Sequence, residues 1–354
     1  MFIAWRDLSF AKGRFGLLGG VIALMTFMVV MLSGLTAGLG AASVSAVSSL
    51  PVDAIAFSQP ADGQDVSFTD SSLSARAADR LGGRTGVHAA YPFGLRPTQV
   101  EGPGATVAVT LLGGDPALYP ARTAGATPAP GQVAITAEVA DAAGLHVGEL
   151  ATVGGSRLRV AAVVDDASFS HLPMVYTDLA TWQRLAHSER VTAVGLRLSG
   201  TSPGALDTDT VHVLSKKDAF AAVGSYTSEQ GSLNLMRGLL IVVSVLVVGS
   251  FFTVWTMQRA GDLAVVRAIG ASRGYLLADA LGQAAVVLLA GSALGAGAAV
   301  AAGLVAAQVV PFHLAAPTLL VPLAAMAGTG LVGAAVSVRR IGSVDPLTAL
   351  GAAR

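Results

Sequence analysis

The chain has 354 residues with 22 basic and 22 acidic side chains, so it is formally neutral, yet 53% of it is apolar and only 12% charged. That balance lies outside the soluble-globular norm and indicates membrane-embedded segments. Cysteine is absent, which excludes structural disulfides, thiolate catalysis, zinc–thiolate sites and iron–sulfur clusters.

Residues 1–14 form a basic N-terminal segment carrying Arg6, Lys12 and Arg14. No charge occurs from Phe15 to Pro51, and Phe15–Leu35 is long and apolar enough to cross about 30 Å of hydrocarbon, which places a first transmembrane helix at 15–40. The following Ala42-Ser43-Val44-Ser45-Ala46 imitates a small-residue cleavage site. The apolar run exceeds the roughly 7–15 residues of a signal-peptide core, so it reads as an uncleaved anchor.

Residues 41–231 carry 18 acidic and 12 basic side chains and read as an α+β domain. Val52–Phe57, Val107–Leu112 and Gln132–Thr136 are strand candidates, followed by a short helix at Ala137–Ala143 and a turn at Gly144–Gly148. Leu150–Val153 and Arg157–Val164 form a hairpin around Gly154-Gly155-Ser156. Met174–Tyr176 and Val191–Leu198 are further strands flanking a helical Asp178–His187. The Gly- and Pro-rich Ser199–Pro203 reads as a hinge to the membrane helices.

A second transmembrane helix is expected at 232–257, since Gly238–Met257 is uncharged between Arg237 and Gln258. Residues 258–275 are charged and cytoplasmic. From Ala280 to Val338 there is again no formal charge, and Pro311, Pro317 and Pro322 interrupt the run. It reads as a helical hairpin, 276–310 and 318–338, with an outer loop at 311–317 and a tail at 339–354. The expected fold class is therefore a membrane protein with four transmembrane α-helices, one plus three, and a large extracytoplasmic α+β domain inserted between helices 1 and 2. Lys and Arg set its orientation. The groups Arg6/Lys12/Arg14, Arg259/Arg267/Arg273 and Arg339/Arg340/Arg354 share one side in a four-span topology, so both termini are expected in the cytoplasm.

No catalytic constellation emerges. His88, His146, His171, His187, His212 and His313 include no i,i+4 pair and no carboxylate at metal-ligand spacing, so each reads as an ordinary core or surface residue. Gly270-Ala271-Ser272-Arg273-Gly274 matches G-x-S-x-G, but a nucleophile elbow needs a strand-turn-helix context, and this one joins two membrane helices. No phosphate-binding G-x-x-x-x-G-K-[ST] occurs, and the only lysines are Lys12, Lys216 and Lys217. Any ATP that drives this protein is hydrolysed by another chain.

The segment from Gln258 to Arg273 alternates charge with Leu, Val and Ile, so it can bury one face while remaining at the membrane surface. Ala264-Val265-Val266-Arg267-Ala268-Ile269-Gly270-Ala271-Ser272-Arg273 resembles the G-x-L-R/K-A-I/L-G-A-S segment between the second and third helices of MacB/FtsX-type permeases of ABC transporters (type VII exporters). The ending Ile341-Gly342-Ser343-Val344-Asp345-Pro346-Leu347-Thr348-Ala349-Leu350 resembles that family's tail, and Gly131–Val163 its periplasmic module. Met1–Gly20, Phe251-Phe252 with Gln258-Arg259, and Ser228-Glu229-Gln230 are more similar to haem-exporter permeases of the HrtB type and their DevC-like relatives.

The resemblance implies a homodimeric permease in a bacterial cytoplasmic membrane, working with two copies of a separate cytosolic ATPase that binds the ATP. It implies haem as the transported ligand, with no permanent prosthetic group and no nucleic acid. Export of a lipid or other hydrophobic compound, or FtsX-like mechanical regulation of an extracytoplasmic hydrolase, remain the alternatives. Val265, Val266 and Ile269 would form the stripe buried in the ATPase, with Arg267 and Arg273 reaching acidic or backbone groups, against the alternative of anchoring in lipid headgroups alone.

A haem site would lie between protomers facing the outer membrane half. Met25, Met28 and Met31 recur every third position on the first helix, and iron accepts Met as an axial ligand; such methionines also serve as adaptable packing. Glu229 at the outer mouth of the second helix is a carboxylate entering the membrane, where charge is costly, or a helix-capping group at the water interface. Glu229 and Met28 are the iron-ligand candidates, and Arg237 can pair with a haem propionate. Tyr226 reads as an interfacial aromatic. Gly34-Leu35-Thr36-Ala37-Gly38 matches G-x-x-x-G, where first helices of a dimer could approach closely.

Overall fold

The computed structural model describes residues 12–224, 226–258, 261, 265 and 270–341. These divide into two compact units: the residues up to Gly38 together with those from Gly231 onward, and the insert Leu39–Gln230.

Helix α1 runs over Lys12–Ser49, further than the hydrophobic span requires. Its last turns belong to the insert, where Val44, Ala46, Val47 and Leu50 enter a core with Ile55, Phe57, Phe93, Met174 and Tyr176. The insert continues through β1 (Ala54–Ser58), β2 (Leu73–Ser74), helix α2 (Arg76–Gly82), β3 (Val87–Glu101), β4 (Thr106–Gly113), β5 (Arg122–Gly125) and β6 (Gln132–Thr136). Helix α3 (Ala137–Ala143) follows, then β7 (Leu150–Val153), β8 (Ser156–Val164), β9 (Ser168–Phe169), β10 (Leu172–Thr177) and helix α4 (Leu179–Ala186). β11 (Arg190–Val191), β12 (Ala193–Leu198) and β13 (Val211–Ser215) complete the domain.

Eleven strands form one sheet whose main path is β13-β1-β12-β3-β4-β10-β6-β8-β5, with β7 and β9 attached at its side; β2 and β11 pair separately. β10 runs parallel to β4 and β6 parallel to β8, while the other pairs are antiparallel. The long β3 joins the two halves of the sheet, pairing with β12 through its first half and with β4 and β7 through its second. Local chemistry sets the short elements. Gly144 at φ +64 ends α3 in the left-handed conformation, and Gly154 and Gly155, both at positive φ, make the two-residue β7–β8 turn.

Two expectations are corrected. Ser199–Pro203 is no hinge to the membrane: the chain turns there and returns as β13, which pairs along β1. Val191–Leu198 is two strands, because β11 pairs β2 whereas β12 lies between β1 and β3.

The second unit holds α5 (Tyr226–Gln258) from Gly231 onward, α6 (Arg273–Ala306) and α7 (Ala316–Ile341). Among the described residues, Gly16–Ser49, Tyr226–Trp255 and Leu281–Ala306 are long and apolar enough to cross a membrane, and Ala316–Val332 of α7 is a shorter apolar run. With the β-rich insert after the first helix, this is the expected one-plus-three arrangement. Leu18 and Ile22 of α1, Val248 and Phe252 of α5, and Ala284, Val287 and Leu288 of α6 share one core.

Small residues let α1 and α6 approach: a Cβ on Gly295 would lie 2.2 Å from the Ala23 carbonyl oxygen, and Thr26 donates to Ser292 Oγ at 3.4 Å. Ser33, Thr36, Ser244, Ser250 and Thr253 return their hydroxyls to the carbonyl four residues back, so no lipid-side partner is needed. The Gly34/Gly38 notch of α1 is filled from within the same chain. Phe312 stands over Gly34, the Pro311 carbonyl over Gly38, and the His313 amide donates to the Gly34 carbonyl at 3.1 Å.

Trp182 of α4 lies on the cross-strand pair Gly94 and Gly113, where a Cβ at Gly113 would sit 1.9 Å from its own Cβ. Gly113→Ala should therefore destabilise the detergent-purified protein by roughly 1–3 kcal/mol, read as a lowered midpoint in thermal unfolding. Asp178 caps α4 by accepting from the Thr181 amide at 2.9 Å. Burial pushes its carboxyl up, but hydrogen bonds from Thr181 and Gly131 and the charge of Arg184 outweigh it, leaving the folded pKa below 3.8. A depressed carboxyl stabilises above its unfolded pKa and loses that contribution as pH falls through the folded one. Asp178→Ala should cost about 1 kcal/mol at neutral pH, a gap that begins to narrow in unfolding curves taken below pH 3.8.

Candidate functional site

Within the insert, three separate stretches of chain converge on one carboxylate. The first is the end of α1, which presents Ala42, Ser43 and Ser45. The second is the tip of the β9–β10 hairpin, Ser170-His171. The third is the first turn of α5, which carries Glu229. His171 Nε2 lies 3.0 Å from Glu229 Oε2 and 3.0 Å from Ser43 Oγ, and Ser43 donates to Glu229 Oε2 at 3.4 Å.

The hairpin tip is strained. Phe169 pairs with Leu172, so Ser170 and His171 alone make the turn, at φ +50 and +64. Such a type I′ turn prefers Asn-Gly, and the left-handed region costs an L-residue with a side chain about 1–2 kcal/mol. The end of α1 holds it in place. The amides of Ser170 and His171 donate to the carbonyls of Ser43 and Ala42, and Ser45 Oγ both accepts from the Ser168 amide and donates to its carbonyl.

His171 and Glu229 are each about one-third exposed, so the pair adds about 0–1 kcal/mol to stability and acts mainly by fixing positions. Strained, non-glycine backbone held by surrounding structure is characteristic of functional sites.

This arrangement is not a hydrolytic triad. Ser43 and Glu229 meet the same ring nitrogen, whereas a relay needs one partner on each. Among the described residues no group of three His, Asp or Glu side chains could hold a metal ion. The other histidine–carboxylate pairs, His146–Glu149 and His212–Asp207, are local pairs next to turns.

The remaining expected site residues are spread along the membrane helices. Met25 and Met31 are half-buried on α1 and Met28 is exposed; Arg237 on α5 is half-buried, and its guanidinium donates to Asn234 Oδ1 at 2.8 Å. Tyr226 packs edge-on to Phe220 at 6.3 Å in the insert, a core contact. In the charged segment Val265 is helical and exposed, while Val266, Arg267 and Ile269, and the side chain of Arg273, lie outside the described residues. Ser272, the centre of the G-x-S-x-G match, is the N-cap of α6, its Oγ accepting from the Tyr275 amide at 3.2 Å.

Sequence reasoning singled out Glu229 but passed over His171 and Ser43. The one local signal was a two-residue turn between short β-runs, and its Ser-His sequence is not a turn signature.

An α+β insert after a first apolar helix, followed by three more helices, defines a class of transporter permease. Comparison of the sequence with family models gives the same result: residues 17–213 match the MacB-like periplasmic core domain and residues 234–346 the FtsX-like permease C-terminal domain. The chain belongs to the MacB/FtsX-type family of ABC-transporter permeases. It is 24% identical over 357 residues to a putative hemin transport system permease protein HrtB of Staphylococcus epidermidis, covering 99% of each chain. It is 28% identical over 366 residues to an uncharacterised ABC transporter permease of Mycobacterium tuberculosis, again covering 99% of both. The extracellular domain of the ABC-type transporter YknZ from Gram-positive bacteria superposes with a TM-score of 0.38 and 14% identity, over 46% of this chain and 100% of that one.

Ser170→Asn should raise the thermal midpoint, because Asn tolerates the left-handed region better and the Ser170 side chain takes no part in the cluster. The expected gain is a few tenths to about 1 kcal/mol; a lowered midpoint would show that the turn is not the populated one.

Proposed function

We propose that this chain is the permease subunit of a homodimeric exporter that extrudes haem across a bacterial cytoplasmic membrane, driven by two copies of a separate cytosolic ATPase. The observation that carries the substrate assignment is Glu229. It is a carboxylate in the first turn of an apolar helix, held at its Oε2 by His171 and Ser43, in a chain similar over its full length to permeases named for hemin transport. A carboxylate at the mouth of an apolar helix is by default a functional suspect.

In this reading Glu229 meets the iron, Met28 offers a thioether from α1, with Met25 and Met31 nearby in sequence, and Arg237 pairs with a propionate. The chain makes and breaks no covalent bonds. The Val265–Ile269 stripe docks on the ATPase with Arg267 and Arg273 at its edges, and closure of the ATPase dimer moves the helices. The basic groups flanking the helices support cytoplasmic termini.

Two measurements test this. Hemin titrated into the purified permease should shift the Soret band, and the Glu229→Ala/Met28→Ala double variant should bind at least tenfold more weakly, about 1.4 kcal/mol. A wild-type protein with no Soret shift overturns the haem assignment. Val266→Asp with Ile269→Asp should abolish co-purification of the partner ATPase, and retained co-purification overturns the docking assignment.

A further inference from the structure

We infer that His171 and Ser43 are positioning residues for Glu229, so that the fold of the insert sets how this carboxylate is presented. The inference rests on the haem reading of Glu229 and adds to it the groups that set how that carboxylate presents itself.

Both contacts converge on one oxygen. In the Nε2–H tautomer the imidazole donates to Glu229 Oε2 at 3.0 Å and shares its proton with Ser43 Oγ at 3.0 Å, while the Ser43 hydroxyl donates to the same Oε2 at 3.4 Å. Two donors on Oε2 fix the rotation of the carboxylate about its last bond. That leaves Oε1 presented in one direction, so losing either donor lets the carboxylate rotate away from the position a ligand would meet. Hydrogen bonds of this kind from outside the ligand set orient metal-binding carboxylates and tune the metal.

The backbone supports the assignment. A turn shaped only to reverse the chain would carry glycine at position 171, where φ is +64. Here an imidazole occupies the strained position, and four hydrogen bonds from Ala42, Ser43 and Ser45 hold the tip against the end of α1. The histidine's partners lie 128 and 58 residues away in sequence, on two different helices. That sets it apart from the local His146–Glu149 and His212–Asp207 pairs.

The test uses the purified full-length permease and hemin. His171→Gly suits the left-handed turn, so it should fold, and it removes only the imidazole. It should weaken hemin binding roughly 10–100-fold and shift the Soret and charge-transfer bands of the bound ferric haem. His171→Gln restores an N–H donor and should return both affinity and spectrum toward wild type; Ser43→Ala should have a smaller effect in the same direction. If His171→Gly binds hemin with wild-type affinity and spectrum while Glu229→Ala abolishes binding, the positioning role is overturned and the haem reading stands. A weaker affinity with unchanged bands in His171→Gly, unrelieved by His171→Gln, also overturns it, since that pattern marks a structural clamp. A wild-type protein that produces no Soret shift overturns both.

Discussion

The last turns of α1 are the constraint on which the insert and its site both depend. An apolar helix could have ended at the membrane surface. This one continues to Ser49, and its final residues face two ways. Val44, Ala46, Val47 and Leu50 are buried against the sheet core, while Ala42, Ser43 and Ser45 offer carbonyls and hydroxyls to the β9–β10 tip. The apolar face contributes the free energy that makes the position permanent, at roughly 25 cal/mol for each Å² removed from water. The polar face uses that permanence to hold a turn that its own sequence disfavours. Without the first, the second would have nothing rigid to hold on to.

The same economy of small residues runs through the membrane unit. Gly291 and Gly295 bring α6 onto α1, and Gly34, Gly38 and Gly303 receive Phe312 and Pro311. In lipid there is no hydrophobic gain from pressing one apolar helix on another, so close approach and a few shared hydroxyl contacts must suffice. That is why these glycines lie on facing surfaces, and why Ser33, Ser244 and Ser250 send their hydroxyls back to their own helices.

Much of the insert was legible in the sequence where one local rule decided the matter. Gln132–Thr136, Ala137–Ala143 and the Gly154-Gly155 hairpin were read at or near their observed bounds, because β-branched runs and glycine turns act over a few residues. β3 was not, since Pro92, Gly94 and Pro97 look like breakers. Gly94 is required beneath Trp182, a reason that exists only once α4 is packed. β13 was missed for a similar reason: Val211–Ser215 is short and is made a strand by β1 beside it. The Gly34/Gly38 motif was visible, but not that its partner is a loop of the same chain. Glu229 stood out as a charge at an apolar helix; His171 is distant in sequence and became visible only through contact.

That division bears on how far family membership reaches toward substrate. A permease named for hemin and one with no named cargo are similar to this chain at 24% and 28% identity over the same full length. Likeness at that level follows what such permeases share: the periplasmic core domain and the C-terminal permease helices. Cargo has to be settled by few side chains. Those at Glu229 are unusual in needing three parts of the chain to be in place at once, the end of α1, a strained hairpin tip and the start of α5. Under the proposed haem reading, single substitutions in a cluster so distributed alter how Glu229 is held while the fold remains.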